Sequence, residues 1–482
     1  MKRVVSLGIT TETIPLAQKP QEHILATHVE PIGLIRDRGD IVAYSRVTKF
    51  KIGQNNLVAD IEQTVDPLPG THLESYYPRR PWYPEELGRE IFARDITRIP
   101  TTELVGEAAI IDLSDINRQT INSNDLENRG EHVKEGDLVL IRTGFSDQYY
   151  GKLPSSESYD KSPGFTMDAA RWLVDKKINL IGVDFRYLEA PEVFAEAGDL
   201  KVHELFHLNK ISIIEDVVRL NQIQNKRIFV ACGRPLKTRH LTGGAARLMA
   251  IDDNRLIDIS HPLNIQIQAN EAINREESFR LKSHIYKWAR ILDFNVWDHG
   301  WTASGGPQIF SYNSRLGTHL LSSCAIDQIP LPNLLKSAKM VDIYRIGSGR
   351  LIDTKTLKTA IGKLEQESVV LYTGFSEHYY HLDEFIDYSP GLSFDAAKML
   401  VDMGVKLVII DTPVIDLQTP SSGKEPEEVA LKYLLQNDVN VVACAANIGL
   451  IRKEVFNVML LPLPIAGLDN VPTDVIAIED WN

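Results

Sequence analysis

A carboxylate and an imidazole in the first half of the chain have types and positions that suit chemistry. Glu215 follows the predicted strand 211–214, and a carboxylate at the end of a buried strand is costly unless it is paired or binds a metal. His203 stands twelve residues earlier, in the predicted helix 201–208. Metal ligation or proton transfer is the chemistry expected of such groups. The alternatives are a structural ion pair for Glu215 and a surface or hydrogen-bonded core position for His203.

Two more histidines extend this set. His207 lies one turn after His203, on the same helix face, where it can supply a third nitrogen. His72 ends the motif Gly70-Thr71-His72. A hydrogen bond to its own turn is an equal alternative for His72, because the second half of the chain keeps the same three residues at 317–319.

The chain contains one unit twice. Thr143-Gly144-Phe145-Ser146 returns 230 positions later, at 373–376, and Ser162-Pro163-Gly164 returns 227 positions later, at 389–391. Such a repeat indicates a tandem duplication. The sequence therefore predicts two domains, copy one at 1–252 and copy two at 253–482, arranged as a pseudo-dimer like a covalently fused homodimer.

Alternating strand and helix patterns position the candidate groups. Short β-rich runs at 109–113, 138–141, 180–184 and 213–215 alternate with helical stretches at 166–176 and 201–208. This order predicts an α/β fold with a central sheet in each copy. In helix 166–176, Ala169, Ala170, Leu173 and Val174 share one face, which we expect to pack on the sheet.

Composition excludes several classes of function. Across 482 residues the formal net charge is -13, and the scattered basic side chains give no field for nucleic acid or an anionic membrane. Three cysteines, Cys232, Cys324 and Cys444, lie far apart, which argues against a disulfide framework or a thiolate metal site and favours packing roles. No apolar run reaches the roughly 20 residues of a membrane span. We expect a cytoplasmic protein whose partner is a small-molecule substrate, either as a monomer or as a higher homo-oligomer.

Copy one has a longer connection after its Gly-Thr-His motif. In it 31 residues separate His72 from Leu104, whereas 14 separate His319 from Leu334 in copy two. The excess is rich in aromatic, proline and arginine residues and includes Tyr76, Trp82 and Tyr83. A loop of this kind beside a polar motif can bind substrate or cover a pocket, and the alternative is a solvated connection.

These motifs resemble the metal-dependent cyclase superfamily, which includes bacterial arylformamidases (kynurenine formamidases), isatin hydrolase and some polyketide cyclases. The resemblance covers both copies and rests on the Gly-Thr-His, Arg-Thr-Gly-Phe and Ser-Pro-Gly motifs, on 181–184, and on a His followed twelve positions later by a Glu. It implies a cyclase-like α/β domain that binds one or two divalent metals through H-x-G-T-H-x-D-x-P-x-H and the later His and Glu.

The implied ligands survive in part. Leu68 and Pro78 replace two histidines of the family pattern, Tyr76 replaces its proline, and Glu74 replaces its Asp. By this resemblance, copy one retains four metal ligands, His72, Glu74, His203 and Glu215. Two imidazoles and two carboxylates suit one Zn²⁺ or Mn²⁺ rather than two ions.

Copy two has lost the implied site. Leu431 and Ala443 stand where copy one has His203 and Glu215. The positions of the first motif are occupied by Arg315, His319, Leu321, Ser323 and Ala325. One imidazole cannot hold a metal, so copy two is expected to be a structural partner. Its segments 297–301 and 312–313 either complete the pocket of copy one or form surface loops.

Three functional hypotheses remain open. The first is a metal-dependent hydrolase of an amide or lactam, or a cyclase, that acts on a small aromatic or polyketide-like substrate of secondary metabolism, with Glu74 or Glu215 as ligand or proton acceptor. The second is a metal-free cyclase or lyase that uses His203 and Glu215 as an acid/base pair. The third is a non-catalytic binding or scaffold protein with two degenerate copies.

Overall fold

A computed structural model describes most of both copies. Backbone and side chains are described for most of 99–258 and 318–479, with gaps at 117, 150–160, 186–187, 194–200, 216, 235–242, 254, 345, 348, 381–387, 418–428 and 463–469. The backbone alone is described for strands at 29–37, 40–47, 50–52, 55–57, 72–74, 243–245, 293–298 and 308–313. For the strand 3–6, the backbone and the side chain of Val4 are described. Within these ranges the structure is a mixed α/β fold in two tandem copies, which confirms the predicted fold class.

Copy one contains fifteen strands and four α-helices within its described ranges. Its strands are β1 (Arg3–Ser6), β2 (Val29–Asp37), β3 (Asp40–Val47), β4 (Phe50–Ile52), β5 (Asn55–Leu57), β6 (His72–Glu74), β7 (Val105–Asp112), β8 (Thr120–Ile121), β9 (Leu138–Arg142), β10 (Gly164–Phe165), β11 (Leu180–Val183), β12 (Ser212–Glu215), β13 (Arg227–Gly233), β14 (Gly243–Ala245) and β15 (Arg247–Asp252). Its helices are α1 (Ser123–Arg129), α2 (Phe145–Tyr149), α3 (Met167–Asp175) and α4 (Lys201–Leu208). Single 3₁₀ turns lie at Thr101–Glu103 and Leu220–Gln222.

Copy two repeats this order. Its described strands are β16 (Arg255–Asp258), β17 (Asp293–Asp298), β18 (Gln308–Asn313), β19 (His319–Leu321), β20 (Leu335–Asp342), β21 (Leu351–Ile352), β22 (Ser368–Tyr372), β23 (Gly391–Leu392), β24 (Leu407–Ile410), β25 (Asn440–Ala443), β26 (Val455–Pro462) and β27 (Asn470–Glu479). Its helices are α5 (Thr354–Ile361), α6 (Phe375–Tyr379), α7 (Phe394–Asp402) and α8 (Val429–Gln436), with 3₁₀ turns at Ile326–Gln328, Leu331–Leu334 and Ile448–Leu450.

Each copy has a sheet with a parallel centre and antiparallel margins. In copy one, β12, β11, β9 and β7 are parallel, and β6 and β13 flank them antiparallel. The same pattern in copy two is β25, β24, β22 and β20 between β19 and β26. Parallel strands need crossovers, and α3 and α4, or α7 and α8, supply them. The carboxyl ends of the parallel strands therefore lie at one edge, where β12 ends at Glu215.

Each sheet closes on itself through its last long strand. In copy two, β27 pairs with β19 by residues 470–472 and with β26 by residues 473–478. In copy one, β14 pairs with β6 and β15 pairs with β13, and only Ala246 separates the two strands. Both copies thus form a ring of strands, which leaves a helix-covered outer face and a second face towards the other copy.

The helices cover the outer face of each sheet through their apolar sides. In α3, Thr166 caps the first turn through a bond from the Ala169 N–H to its hydroxyl, and Ala169, Ala170 and Leu173 are buried as predicted. Ser393 caps α7 in the same way, and its matching alanines are also buried. The outer core of copy one includes Phe165, Phe185 and Phe206. The structure thus confirms the predicted packing face of this helix.

The first strand of each copy pairs with the sheet of the other copy. β1 runs antiparallel to β27, with Arg3 opposite Glu479, and β16 runs antiparallel to β15, with Arg255 opposite Asp252. These two pairings are equivalent, because Asp252 and Glu479 end matching strands. The exchange is therefore reciprocal. The boundary placed at 252/253 remains a prediction, and the strand that follows it belongs structurally to the preceding sheet.

The inner faces of the two sheets share one apolar core. It combines residues such as Phe229 and Met249 of copy one with Leu460 and Ile476 of copy two. At Gly233 a Cβ would lie 2.4 Å from the Cβ of Leu461, so only glycine permits this approach of the two copies. The Arg234 N–H also donates to Asp474 Oδ2 at 3.2 Å, and both side chains are buried. The copies are therefore joined by core packing and by buried polar contacts.

Candidate functional site

Two glutamates enclose a buried histidine in copy one. His203 Nδ1 lies 2.8 Å from Glu189 Oε1 and 2.9 Å from Glu189 Oε2, and His203 Nε2 lies 3.6 Å from Glu215 Oε1. All three residues are 4–5% exposed. Because a buried carboxylate beside Nδ1 accepts its proton in a hydrogen bond, the Nε2 atom of neutral His203 is left with its lone pair towards Glu215.

Local structure holds Glu189 in place. Its Oε1 atom accepts hydrogen bonds from the N–H groups of Val202 and His203, both at 3.1 Å, at the start of α4. The segment carrying Glu189 pairs with β10 through a parallel bridge between Phe165 and Glu189, and a Cβ on Gly164 would lie 2.2 Å from the Glu189 carbonyl oxygen. The glycine of the Ser-Pro-Gly motif is therefore required for this close pairing, which brings a carboxylate to the helix start.

Burial and charge act in opposite directions on His203. Burial by itself lowers the pKa of His203, but the carboxylates of Glu189 and Glu215 outweigh it and hold the pKa well above the usual value. Without a bound cation, His203 is therefore an imidazolium between two carboxylates. That state suits proton transfer, whereas a metal at Nε2 requires the neutral ring.

His207 lies beside this group, as its position one turn along α4 predicted. Its ring centroid is 6.3 Å from that of His203, and the side chain is buried. Burial, with a smaller contribution from the charge of His203, holds the pKa of His207 well below the usual value. His207 is thus a neutral imidazole at neutral pH. Its role as a third nitrogen ligand stays a prediction.

Strand β6 brings the first motif to the same edge of the sheet. It pairs antiparallel with β12, so that His72 is opposite Glu215 and Glu74 is opposite Ile213. Residues directly opposite each other in an antiparallel pair are close in the backbone. The side chains of His72 and Glu74 lie outside the described part of the structure, so their ligand roles remain predictions supported by this register.

The donor types fit a divalent cation in part. His203 Nε2 and a carboxylate oxygen of Glu215 face one another, and Glu189 fixes the imidazole from behind, as partners of metal-bound histidines do. Within the described ranges, no three His, Cys, Asp or Glu residues are arranged so that they could hold a metal ion. His203 and Glu215 can therefore supply two ligands, and completion of the site would fall to His72 and Glu74.

A second buried carboxylate has a structural role. Asp184 accepts hydrogen bonds from the Thr143 N–H at 2.9 Å, the Thr143 hydroxyl at 2.6 Å and the Gly144 N–H at 2.8 Å. Burial raises the pKa of Asp184 to about 6, although these hydrogen bonds oppose the shift. Thr143, Gly144 and Asp184 therefore form a hydrogen-bonded cluster after β9, which we call the Thr-Gly-Phe fastening.

Copy two keeps the framework of this site and loses its polar centre. Asp411 accepts from the Thr373 N–H and hydroxyl as Asp184 does from Thr143. Asp416 stands in the place of Glu189 and accepts from the N–H groups of Ala430 and Leu431 at the start of α8. At the positions of His203 and Glu215, copy two has Leu431 and Ala443, both buried and apolar.

His319 of copy two occupies the register position of His72. It is buried and lies opposite Ala443 across β19 and β25, as His72 lies opposite Glu215. Copy two thus retains a histidine at this position although no glutamate lies opposite it. The same would be expected of His72 if its role were structural.

The sequence did not single out Glu189, the closest polar neighbour of His203. A signal was present, because Glu189 and Asp416 are acidic residues at matching positions of the two copies, 227 positions apart. The predicted substrate-binding residues Tyr76, Trp82 and Tyr83 lie outside the described part of the structure. The backbone of the β17–β18 hairpin lies beside β2 and β3 of copy one, while 299–301 are outside the described residues.

The cysteines fit packing roles. Cys232 and Cys444 are buried, and burial raises the pKa of the Cys232 thiol to about 12. Cys324 is only half-buried and packs against the shared inner core. None of the helices within the described ranges is long and apolar enough to cross a membrane.

Comparison with known proteins identifies relatives of both copies. The model of the Cyclase family matches residues 18–190 and 257–417. A kynurenine formamidase of Bacillus mycoides is 30% identical over 149 residues, and so is a kynurenine formamidase of Bacillus cereus. Each match covers 31% of this chain and 60% of the relative. The chain thus spans less than two thirds of the length of these relatives.

Solved structures give a weaker likeness. Isatin hydrolase A from Ralstonia solanacearum is 16% identical, with a TM-score of 0.32, over 39% of this chain and 81% of that chain. A structure described as a potential metal-dependent hydrolase with cyclase activity is 22% identical, with a TM-score of 0.30, over 53% of this chain and 100% of that chain. These values carry no conclusion about activity. The two matches of the family model cover more than half of the chain, and the protein therefore belongs to the Cyclase family, with the family unit present twice.

Proposed function

We propose that copy one is a hydrolase that cleaves an amide or lactam bond in a small aromatic or polyketide-like substrate, with one divalent metal bound at His203 and Glu215. The observation that carries the proposal is the buried row Glu189, His203, Glu215, which copy one has and copy two lacks. Membership of the Cyclase family and the similarity to kynurenine formamidases support a hydrolase.

Each residue of the row has a distinct task in this proposal. Glu189 accepts the Nδ1 proton of His203 and so fixes the ring orientation and leaves the lone pair on Nε2. His203 and Glu215, with His72 and Glu74, are the ligands. A divalent cation held there would polarise the substrate carbonyl and lower the pKa of an attacking water molecule. Glu74 or Glu215 accepts the proton that this water loses.

A metal-free acid/base mechanism is the second candidate, and the position of the buried His203 ring between two carboxylates favours it. In that mechanism the imidazolium of His203 donates a proton to the leaving group, and Glu215 accepts one from the substrate or from water, which gives a cyclase or lyase. Glu189 would again orient the ring. The third possibility, a binding or scaffold protein, requires no turnover at all.

Elemental analysis of protein purified without chelator or affinity-column metal separates these candidates. The proposal predicts about one Zn²⁺ or Mn²⁺ per chain, with loss of both metal and turnover in His203→Ala and Glu215→Ala, since two of four ligands lie at these positions. The acid/base mechanism predicts that the same variants are inactive while metal is absent from the wild type. A protein that stays fully active after chelation would contradict the metal-dependent mechanism.

The substrate class is tested on a panel of small ring compounds. Aryl formamides and isatin-type lactams represent the two kinds of C–N bond that the names of the relatives suggest, and a polyketide-like β-keto substrate represents cyclisation. Turnover of either C–N class supports the hydrolase, whereas conversion of the β-keto substrate alone would favour the cyclase. We further propose that the protein acts in the cytoplasm on a diffusible substrate, without nucleic acid or membrane as partner.

A further inference from the structure

Exposed apolar side chains are distributed unequally between the copies. Among the described residues, eight large apolar side chains are at least 40% exposed, and seven of them belong to copy two. These seven are Leu351, Tyr388, Phe394, Met403, Val429, Leu450 and Val455. The matching residues of copy one are Thr120, Lys161, Met167, Lys176, Lys201, Gln222 and Arg227. Because six of the seven counterparts are polar or charged, copy one provides an internal control that the fold does not require apolar residues there.

Four of the exposed residues lie together with Tyr433 on what we term the apolar helix face, comprising Leu351, Tyr388, Phe394, Val429 and Tyr433. Leu351 pairs with Gly391 in β23, and the Tyr388 carbonyl accepts from the Gly349 N–H beside it. Phe394 begins α7 directly after β23, and its ring meets the edge of the Tyr433 ring at a centroid distance of 5.0 Å. Val429 lies one turn before Tyr433 in α8. Phe394 and Tyr433 thus connect α7 to α8, and Leu351 and Tyr388 lie at the β21–β23 corner that precedes α7.

The size of this face matches a protein–protein contact. An aromatic side chain covers about 150–250 Å², so Tyr388 and Phe394, which are 41% and 45% exposed, together present roughly 130–210 Å², and Leu351 and Val429, at 46% and 42% exposed, add to this area. A standard interface buries about 800 Å² per partner, of which somewhat more than half is apolar. The face thus supplies a substantial part of the apolar area that one side of a stable dimer requires.

Charge around the face favours a second copy of the chain over other partners. On α7 and α8, which carry Phe394, Val429 and Tyr433, the exposed charges come in equal numbers of both signs, namely Lys398 and Lys432 with Asp395 and Asp402. The whole chain carries -13, so two copies repel each other except where charge is balanced. A two-fold axis through this face would place lysines of one copy near aspartates of the other. Nucleic acid and anionic membranes need a basic excess, which these residues do not provide.

We propose that the apolar helix face of copy two is the interface of an isologous homodimer, in which two chains meet copy two to copy two. In this dimer the outer helices of copy one remain outside the contact in both chains, because Lys161 and Lys201 occupy the positions of Tyr388 and Val429. The proposal does not depend on the activity of copy one.

Substitution by the residues of copy one tests the interface with minimal risk to the fold. Sedimentation equilibrium of the full chain should show a reversible dimer, and L351T/Y388K/V429K should raise the dissociation constant by about a hundredfold or more, because each change acts twice in a two-fold interface. Val429→Lys alone, at an exposed helix start, should raise it by about tenfold. Far-ultraviolet circular dichroism and the melting temperature verify that each variant is folded.

The matched control is L450Q/V455R, which replaces exposed apolar residues outside the face by their counterparts Gln222 and Arg227. This variant should dimerise like the wild type. The proposal is overturned if the wild type is monomeric at all concentrations, if folded L351T/Y388K/V429K and Val429→Lys associate as tightly as the wild type, or if the control weakens association equally. Binding of a different protein to this face by a monomeric wild type would also overturn it.

Discussion

The two copies share a scaffold and differ in a buried polar row. Copy two retains the Thr-Gly-Phe fastening through Asp411, the close backbone pairing at Gly391 and the capping carboxylate Asp416. It lacks the histidine and the glutamate of copy one, for which Leu431 and Ala443 are buried instead. The Thr-Gly-Phe, Ser-Pro-Gly and capping positions survive where the buried histidine and glutamate are lost, so the comparison assigns these positions to the fold. His203 and Glu215 are left as the candidates for the proposed chemistry.

The largest effect is expected from separating the copies. A fragment of residues 1–252 would remove the partner strand of β1, would remove β16 from the first sheet, and would expose the apolar core that both sheets share. We expect it to aggregate or self-associate, because a contiguous apolar face of this kind is not stable in water. Light scattering of the purified fragment measures this. A monomeric fragment with full activity would show that the copies are independent.

The Asp184 and Asp411 fastenings should be equivalent in both copies. Asp184→Ala and Asp411→Ala each leave the matching threonine and neighbouring backbone N–H groups without an acceptor. Near pH 4 we expect each to lower the free energy of unfolding by about 2–4 kcal/mol. Denaturant titration of the two variants measures it. A large effect of Asp184→Ala with none of Asp411→Ala would assign Asp184 to the chemistry instead.

The pH dependence of these two variants follows from burial. Burial raises the pKa of Asp184 and of Asp411 to about 6, from 3.8. A group with a raised folded pKa binds its proton more tightly in the native state, so its contribution is complete below pH 3.8 and is lost as pH rises through about 6. The destabilisation by alanine should therefore shrink between pH 4 and pH 7. A constant difference over this range would contradict the assignment.

More of the scaffold than of the candidate site could be predicted from the sequence. The duplication, the alternating α/β order and the buried face of α3 follow from motifs and periodicity that act locally. Glu189 was missed because its partner His203 is fourteen positions away and the two meet through the pairing of the Glu189 segment with β10. The exchange of β1 and β16 was missed as well, because a strand's residues do not record which of two similar sheets it joins.

The length of the capping side chain should matter only in copy one. Asp416 shows that an aspartate can accept from the helix N–H groups, so Glu189→Asp should keep stability within about 1 kcal/mol. The shorter side chain withdraws from His203 Nδ1, and we expect turnover to fall about 10- to 100-fold, as for other partners of site histidines. Asp416→Glu is the control and should leave turnover unchanged. Full activity of Glu189→Asp would remove Glu189 as a positioning residue.

The smallest effect on stability is expected from the connection between His72 and Leu104, which is longer than its counterpart in copy two. Replacing Trp82 and Tyr83 by Ala should raise KM or slow turnover while changing the free energy of unfolding by no more than about 0.5 kcal/mol, as is usual for exposed loop positions. Steady-state kinetics and the melting temperature measure the two effects. Unfolding of the variant would assign these aromatic residues to packing.

The central claim is that chemistry resides in copy one alone, and exchange of residues between the copies tests it most directly. The variant His203→Leu/Glu215→Ala carries the residues of copy two, Leu431 and Ala443, in copy one, and His319→Ala is its control in copy two. Bound metal and turnover are measured together on each folded variant. We predict about one metal per chain and full turnover for the wild type and His319→Ala, and neither for the double variant. Turnover that persists in the double variant, or that is lost in His319→Ala, would contradict the account.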